Sequence, residues 1–143
     1  LDTVLEASTA FHALTQADRG FVFQLLMQTL RYHGWLITQY QGLLQKPLKP
    51  SKKAIELILL LGAAQHFLLR TPAHAVVSPW VDVAKKQDRA LQGLVNAVLK
   101  KIVALPLPEN PVCTPKQFFS PWMAARIHQH YGEAQSQAMV SAL

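Results

Sequence analysis

The most constraining feature of this sequence is a central segment that is apolar on nearly every side. From Leu57 to Leu69 the apolar run is interrupted by Gln65 and His66. It is too short to cross a membrane, which takes about 20 apolar residues. An apolar segment of this kind is typical of a helix surrounded by other helices. We therefore predict a central core helix from Ala54 to Arg70, in which Gly62 allows a neighbouring helix to approach closely.

The segments before this helix also have helical periodicity, and no segment of the chain alternates with the period of a strand. We predict a weak helix over residues 1–14 and an amphipathic helix that begins after Thr15 and ends at Gly34. A further helix is predicted over residues 35–44, and Ser51 then caps the central helix. The fold class predicted from this pattern is an all-α bundle.

Prolines complicate the segment after the central helix. Thr71 and Pro72 fit the N-cap and first position of a helix that runs to about Lys86. Pro79 either kinks that helix or, with Ser78 as the cap, begins the main helix after a loose leading turn. We prefer the second interpretation.

The rest of the chain divides into three parts. After Asp88 a last core helix places its apolar residues on one stripe and ends near Lys101. Four prolines then favour an extended linker over residues 105–120. Residues 121–143 read as two short helices separated by Gly132. We thus predict a helical domain over residues 1–104, a linker and a helical connector, in a fragment of a longer chain, because Leu1 is not preceded by an initiator Met.

The charge of the chain indicates a polyanionic partner. Lys and Arg number 14 against 8 Asp and Glu, giving a net charge of +6, which suits nucleic acid or an anionic membrane surface. The basic residues cluster in three places: Lys46, Lys49, Lys52 and Lys53; Lys85, Lys86 and Arg89; Lys100 and Lys101. If these clusters share one face, they form a surface for phosphates, and otherwise they are ordinary solvated charges.

Nothing in the sequence announces an active site. His128 and His130 face apart on a helix, and no metal-ligand spacing, phosphate loop or serine-hydrolase elbow occurs. Cys113 is the sole cysteine, so no internal disulfide forms and a reducing cytoplasmic location is expected. A nucleophilic role for Cys113 lacks any neighbouring group that would lower its pKa. We predict no catalytic, cofactor or metal site.

Four blocks of the sequence resemble, in order, the NusB-like domain at the front of bacterial ribosomal RNA cytosine-5 methyltransferases of the RsmB type. The blocks are Asp18, Arg19 and Phe21 through Leu30 and Arg31; Leu61, Gly62 and Gln65; Thr71 to Ala75 with Val81, Ala84 and Lys85; and Gly93 with Val95 to Lys100. In the tail, Pro121, Trp122, Tyr131 and Gly132 resemble the connector to the catalytic part of those enzymes. The chain departs from the family at Ala64, where Tyr is usual, and at Pro79 and Trp80, where a polar pair is usual.

The resemblance implies an RNA-binding accessory domain that presents 16S ribosomal RNA to a methyltransferase domain of the same chain. That domain uses S-adenosylmethionine and is absent from these residues, and Cys113 matches neither of its cysteines. A ribosomal protein is a further implied partner. The RNA-binding residues implied are Arg19, Arg31, Lys85, Lys86, Arg89, Lys100 and Lys101 for phosphates, with Asn96 fixing the backbone near the last helix. Leu94 stands where an aromatic residue is common.

Two other functions are compatible with the same residues. A free-standing transcription antitermination factor of the NusB type would bind RNA together with a ribosomal protein, and its chain would end near Lys101. A helical protein-interaction module would use Trp35, Trp80 and Trp122 as interface anchors. RNA affinity measured across a salt series separates the RNA-binding functions from the third.

Overall fold

The computed structural model describes residues 1–143 as α-helices joined by turns and extended segments, and it contains no strand. The helices are α1 (Asp2–Glu6), α2 (Thr9–His12), α3 (Gln16–Arg31), α4 (His33–Tyr40), α5 (Lys53–Phe67), α6 (Ala73–Gln87), α7 (Gln92–Ala104), α8 (Pro115–Phe118) and α9 (Pro121–Ser141). Short 3-10 turns occupy Gln41–Leu43, Pro50–Lys52 and Arg89–Leu91. The all-α prediction is confirmed.

Helices α5, α6 and α7 form the core of the bundle. Helix α5 buries ten of its residues, as its apolar sequence predicts. At Gly62 an added Cβ would lie 2.6 Å from Leu99 of α7 and 3.8 Å from Val76 of α6. Gly62 contacts Leu99, and four residues further along α5 His66 contacts Leu105 just after α7, so α5 and α7 run parallel. Helix α6 is joined to α7 by a short turn and runs antiparallel to both α5 and α7.

The prediction that Gly34 ends a helix is wrong. Helix α3 ends at Arg31, Tyr32 forms the junction, and Gly34 lies in the first turn of α4. The glycine has a packing reason instead: an added Cβ would overlap the backbone of Gln117. Gly34 therefore lets helix α8 lie directly against α4.

The preferred interpretation of Pro79 is also wrong, because α6 is one helix that contains Pro79 in its interior. Proline removes one backbone hydrogen bond and costs about 3 kcal/mol in a helix. Val76 before it and Ala84 after it are fully buried. Burial of both halves of the helix against the core offsets the missing hydrogen bond. The helix starts one residue later than predicted, with Pro72 in the N-cap position.

The ends of α5 differ from the prediction by a few residues. The 3-10 turn Pro50–Lys52 precedes the helix, and Lys52, not Ser51, is its N-cap. The helix stops at Phe67, three residues before the predicted end, and Arg70 has a positive φ of 53°. A left-handed φ is uncommon for a residue with a side chain. It redirects the chain towards α6.

Residues 105–143 pack on the bundle. Cys113 and Val140 belong to the buried hydrophobic core, and the Gln117 amide donates to Thr38 Oγ1 of α4 over 3.4 Å. Residues 105–114 are extended as predicted, but Pro115 begins the one-turn helix α8 at a position where its missing N–H is not needed. The predicted break at Gly132 is confirmed by its φ of 76° inside α9. No helix of the chain has the length and apolar character needed to span a bilayer.

Candidate nucleic-acid interface

An ion pair joins two of the three basic clusters of the sequence. Lys52 Nζ donates to Asp88 Oδ2 over 2.6 Å, so the turn before α5 lies against the turn after α6. This contact places the cluster around Lys52 beside the cluster around Arg89. We call the resulting surface the basic end, and its members are Lys49, Lys52, Lys53, Lys85, Lys86 and Arg89.

The helix directions add to the positive potential of the basic end. Helices α5 and α7 begin there and α6 ends there, so two partly positive N-termini outnumber one partly negative C-terminus. The last turn of α6 supplies Lys85 and Lys86, which are exposed, as is Arg89 in the 3-10 turn that follows. Asp82 lies one turn before the two lysines on α6. Phosphates bind readily where helix N-termini and exposed basic side chains meet.

Asp88 holds the turns of the basic end together, and most of the basic side chains there remain unpaired. Besides accepting from Lys52, its carboxylate accepts the backbone N–H of Ala90 over 3.2 Å and so caps the 3-10 turn Arg89–Leu91. The hydrogen bond from Lys52 is the main cause that holds the pKa of Asp88 below its usual value of 3.8. A second carboxylate, Glu56, accepts from Lys53 Nζ over 3.0 Å. Four of the six basic side chains form no ion pair.

Other predicted RNA contacts lie away from the basic end. Lys100 and Lys101 are exposed near the end of α7, where the carbonyl of the following Leu105 lies 3.0 Å from His66 Nε2 in the last turn of α5. Arg31 is exposed at the end of α3. Since α5 has 15 residues, the two ends of the bundle are about 20 Å apart. We call the end at which α5 terminates the distal end.

Two of the predicted contacts are partly covered. Arg19 is half-buried in the first turn of α3, and its Nε is buried without a hydrogen-bond partner. Asn96 is half-buried in α7, one residue after the fully buried Val95. Neither lies in the turns that form the basic end. The structure thus groups Lys85, Lys86 and Arg89, and it places Arg31, Lys100 and Lys101 towards the other end of the bundle.

The basic clusters could be found in the sequence, but their grouping on one surface could not. All three basic clusters are visible in the sequence, whereas the pairing of Lys52 with Asp88 spans 36 residues. Lys49 and Lys53 were therefore missing from the set of predicted RNA contacts. The Asp88 carboxylate, two residues after Lys86, was the local sequence signal for a basic partner such as Lys52.

The sole cysteine is buried in the core. Cys113 is buried at 4% exposure, and burial raises the pKa of its thiol. Its backbone carbonyl accepts from the Gln137 amide over 2.9 Å, which ties the extended segment to α9. No group of three His, Cys, Asp or Glu residues is placed to hold a metal ion. Cys113 therefore serves as a core residue.

The three tryptophans that were possible interface anchors differ in exposure. Trp35 is buried in the core, and Trp80 donates from its indole nitrogen to the side-chain oxygen of Gln65. Trp35 is wrong as an interface anchor, because packing within the bundle covers it, whereas Trp80 is half-buried. Trp122 on α9 is 66% exposed.

Comparison with known proteins identifies the family. The model of the NusB family matches residues 1–104, which is well over half of the chain. The chain belongs to the NusB family. The resemblance seen in the sequence blocks is therefore confirmed, and the basic end and core helices described above are all parts of its NusB region.

Curated relatives of this NusB-family chain carry the name ribosomal RNA small subunit methyltransferase B. The protein of Pseudomonas syringae pv. tomato is 39% identical over 84 residues, which are 58% of this chain and 19% of that protein. The Thermus thermophilus protein is 38% identical over 96 residues, covering 66% and 23%. The Serratia proteamaculans protein is 30% identical over 123 residues, covering 82% and 28%. The chain thus spans about a fifth to a quarter of the length of these relatives, and no solved structure matches it.

Proposed function

We propose that this chain is the RNA-binding accessory domain of a cytoplasmic ribosomal RNA methyltransferase, and that the basic end holds the RNA backbone. The observation that carries the proposal is the contact between Lys52 and Asp88, which brings two basic clusters onto one surface. Membership of the NusB family and the name of the relatives support the choice of ribosomal RNA over other polyanions.

The chemistry of the basic end suits a phosphate backbone. Lys49, Lys85, Lys86 and Arg89 have exposed side chains and no carboxylate partner, so binding phosphates does not require an internal ion pair to break. Lysines and arginines that neutralise phosphates release condensed counterions, which supplies most of the sequence-independent affinity. Such contacts position an RNA without reading its sequence.

In this proposal the reaction belongs to a methyltransferase domain outside residues 1–143, and α9 faces that domain. Trp122 and Tyr131 are exposed on α9, at 66% and 53%, and large aromatic side chains are favoured at interfaces. S-adenosylmethionine would bind to that domain. A cavity of about 310 Å³ between Tyr32, Cys113 and Val140 is lined by no acidic or basic side chain that would pair with the charged cofactor.

The experiment that tests RNA binding is a salt series with the full 143-residue chain. Fluorescence anisotropy of a labelled single-stranded RNA gives the dissociation constant between about 50 and 300 mM salt, a range over which the Debye length falls from about 14 to about 6 Å. Each phosphate neutralised on a single strand contributes about 0.7 to the slope of log affinity against log salt. We expect a slope of about 2 or more, since four basic side chains are free. Absent binding, or a flat salt dependence, contradicts the proposal and favours a protein-interaction module.

The coding sequence that follows Leu143 tests the second part of the proposal. We expect it to encode a methyltransferase domain that binds S-adenosylmethionine. A chain that ends soon after Leu143 would contradict this part and favour the free-standing antitermination factor, with a ribosomal protein as its partner.

A further inference from the structure

The distal end contains a polar cavity. The cavity has a volume of about 230 Å³ and lies where α3, the end of α5 and the extended segment 108–111 meet. Side chains from all three elements line it: Gln24 and Gln28 of α3, Phe67 and Arg70 at the end of α5, and Glu109 of the extended segment. Tyr32, which follows Arg31 at the end of α3, also lines it.

Two amides in the cavity have no partner within the chain. Gln24 and Gln28 are one helical turn apart, so their side chains lie on the same side of α3. Neither amide makes a hydrogen bond in the structure, whereas the Gln39, Gln117 and Gln137 amides all do. Each amide offers one acceptor and two donors. The cavity therefore presents unused donors and acceptors side by side.

Arg70 fixes the opposite wall of the cavity. Its backbone has a left-handed φ of 53°, and its Nη2 donates to the carbonyl of Pro108 over 3.1 Å. This bond ties the end of α5 to the extended segment and holds the planar guanidinium in place. Glu109 follows Pro108 directly and forms no ion pair with Arg70. The Glu109 carboxylate is thus free to accept hydrogen bonds at the rim.

We propose that this cavity binds one unstacked base of single-stranded RNA that carries an exocyclic amino group, adenine or cytosine. Proteins read single-stranded RNA by splaying bases out, stacking them on aromatic rings or Arg planes and hydrogen-bonding their edges. A Gln amide matches the amino group and ring nitrogen of adenine, and a carboxylate accepts from the amino group of cytosine. Arg31 would then hold the adjacent phosphate. The proposal rests on the proposed function and adds base selectivity at the end opposite the main phosphate contacts.

The test compares three oligonucleotides with the full chain. Each is a uridine decamer in which one central position is U, A or C, and affinity is measured by anisotropy at one fixed salt concentration. The proposal predicts at least about fivefold tighter binding of the A or C oligonucleotide than of the all-U one. Equal affinity for all three overturns the cavity proposal while leaving the proposed function intact. Absence of binding to every oligonucleotide contradicts the proposed function and this proposal together.

Variants of the cavity residues test whether the preference for the A or C oligonucleotide arises in the cavity. The double variant Gln24→Ala and Gln28→Ala should lose the preference and keep the affinity for the all-U oligonucleotide, because the basic end is untouched. The matched control, Gln129→Ala and Gln135→Ala on the exposed face of α9, should keep the preference. Glu109→Gln, in the extended segment, tests the same cavity without altering α3 and should weaken the preference for C. A preference that survives both sets of cavity variants overturns the assignment.

Discussion

In the proposed function the two ends of the bundle bind RNA by different physics, although one core supports both. At the basic end the side chains of Lys49, Lys85, Lys86 and Arg89 project into solvent without carboxylate partners. At the distal end Arg70 is held by a carbonyl, and the polar groups line a cavity. Exposed charges attract any phosphate backbone, whereas a cavity with fixed donors and acceptors discriminates between bases. Affinity and selectivity are thereby assigned to opposite ends of α5.

The largest effect is expected from a change that damages both ends at once. Leu99 is fully buried where α7 meets α5 at Gly62. Leu99→Ala should lower the free energy of unfolding by about 2–5 kcal/mol, the cost of lost burial plus a cavity. Urea unfolding followed by circular dichroism measures it. A loss below about 1 kcal/mol would mean that the two ends do not share this core.

A smaller and more selective effect is expected at Gly34. An added Cβ overlaps the backbone of Gln117, so Gly34→Ala should displace α8 and loosen the extended segment behind the distal cavity. Overpacking of this kind costs about 1–3 kcal/mol. The base preference should fall while the salt dependence of RNA binding stays unchanged. Gly42→Ala is the control, because an added Cβ there meets no atom within 4 Å. If Gly34→Ala changes the slope of log affinity against log salt, the two ends do not act separately.

Lys100 and Lys101 test how far the phosphate surface extends along α7. Both are exposed but lie towards the distal end, away from the turn at Asp88. Replacing both with Gln should lower the slope of log affinity against log salt by about 0.7 or less, the contribution of a single phosphate. An equal or larger drop than at Lys85 and Lys86 would move the main phosphate site to the distal end. An unchanged slope removes the pair from the interface.

The smallest effect concerns the ion pair that joins the basic clusters. Lys52 lowers the pKa of Asp88, so the pair stabilises the fold fully above pH 3.8 and loses that contribution as pH falls through the lowered pKa of the folded state. Asp88→Asn keeps a capping side chain but removes the charge. The urea midpoints of wild type and variant should therefore differ at pH 7, and the difference should shrink as the pH falls below 3.8. A difference that grows at low pH would contradict the role of the pair.

How much of this could be read from the sequence depends on the range of the interaction. Periodicity and apolar content located the helices of the core, because those signals repeat within one element. Pro79 and Gly34 were misread for a common reason. Both residues are breakers by local propensity, but tertiary packing overrides propensity when it buries Val76 and Ala84, or brings Gln117 against α4.

The basic character of the site was predictable from the sequence, but the arrangement of its residues was not. The sequence contained the basic clusters, and it could not tell which of them share a surface, since the contact from Lys52 to Asp88 links residues far apart in the chain. The distal cavity was invisible for the same reason. Gln24, Arg70 and Glu109 come from three separate segments, and none of them belongs to a motif with a recognisable spacing.

The measurement that tests the central claim most directly compares two charge-matched double variants in the salt series. Lys85→Gln with Lys86→Gln removes two charges from the basic end, and Lys116→Gln with Arg126→Gln removes two exposed charges from α8 and α9. We expect the first to lower the slope of log affinity against log salt by about 1.4, for two phosphates on a single strand, and the second to leave it unchanged. Equal changes in the two variants would show that net charge alone binds the RNA and would contradict a basic end built by the fold.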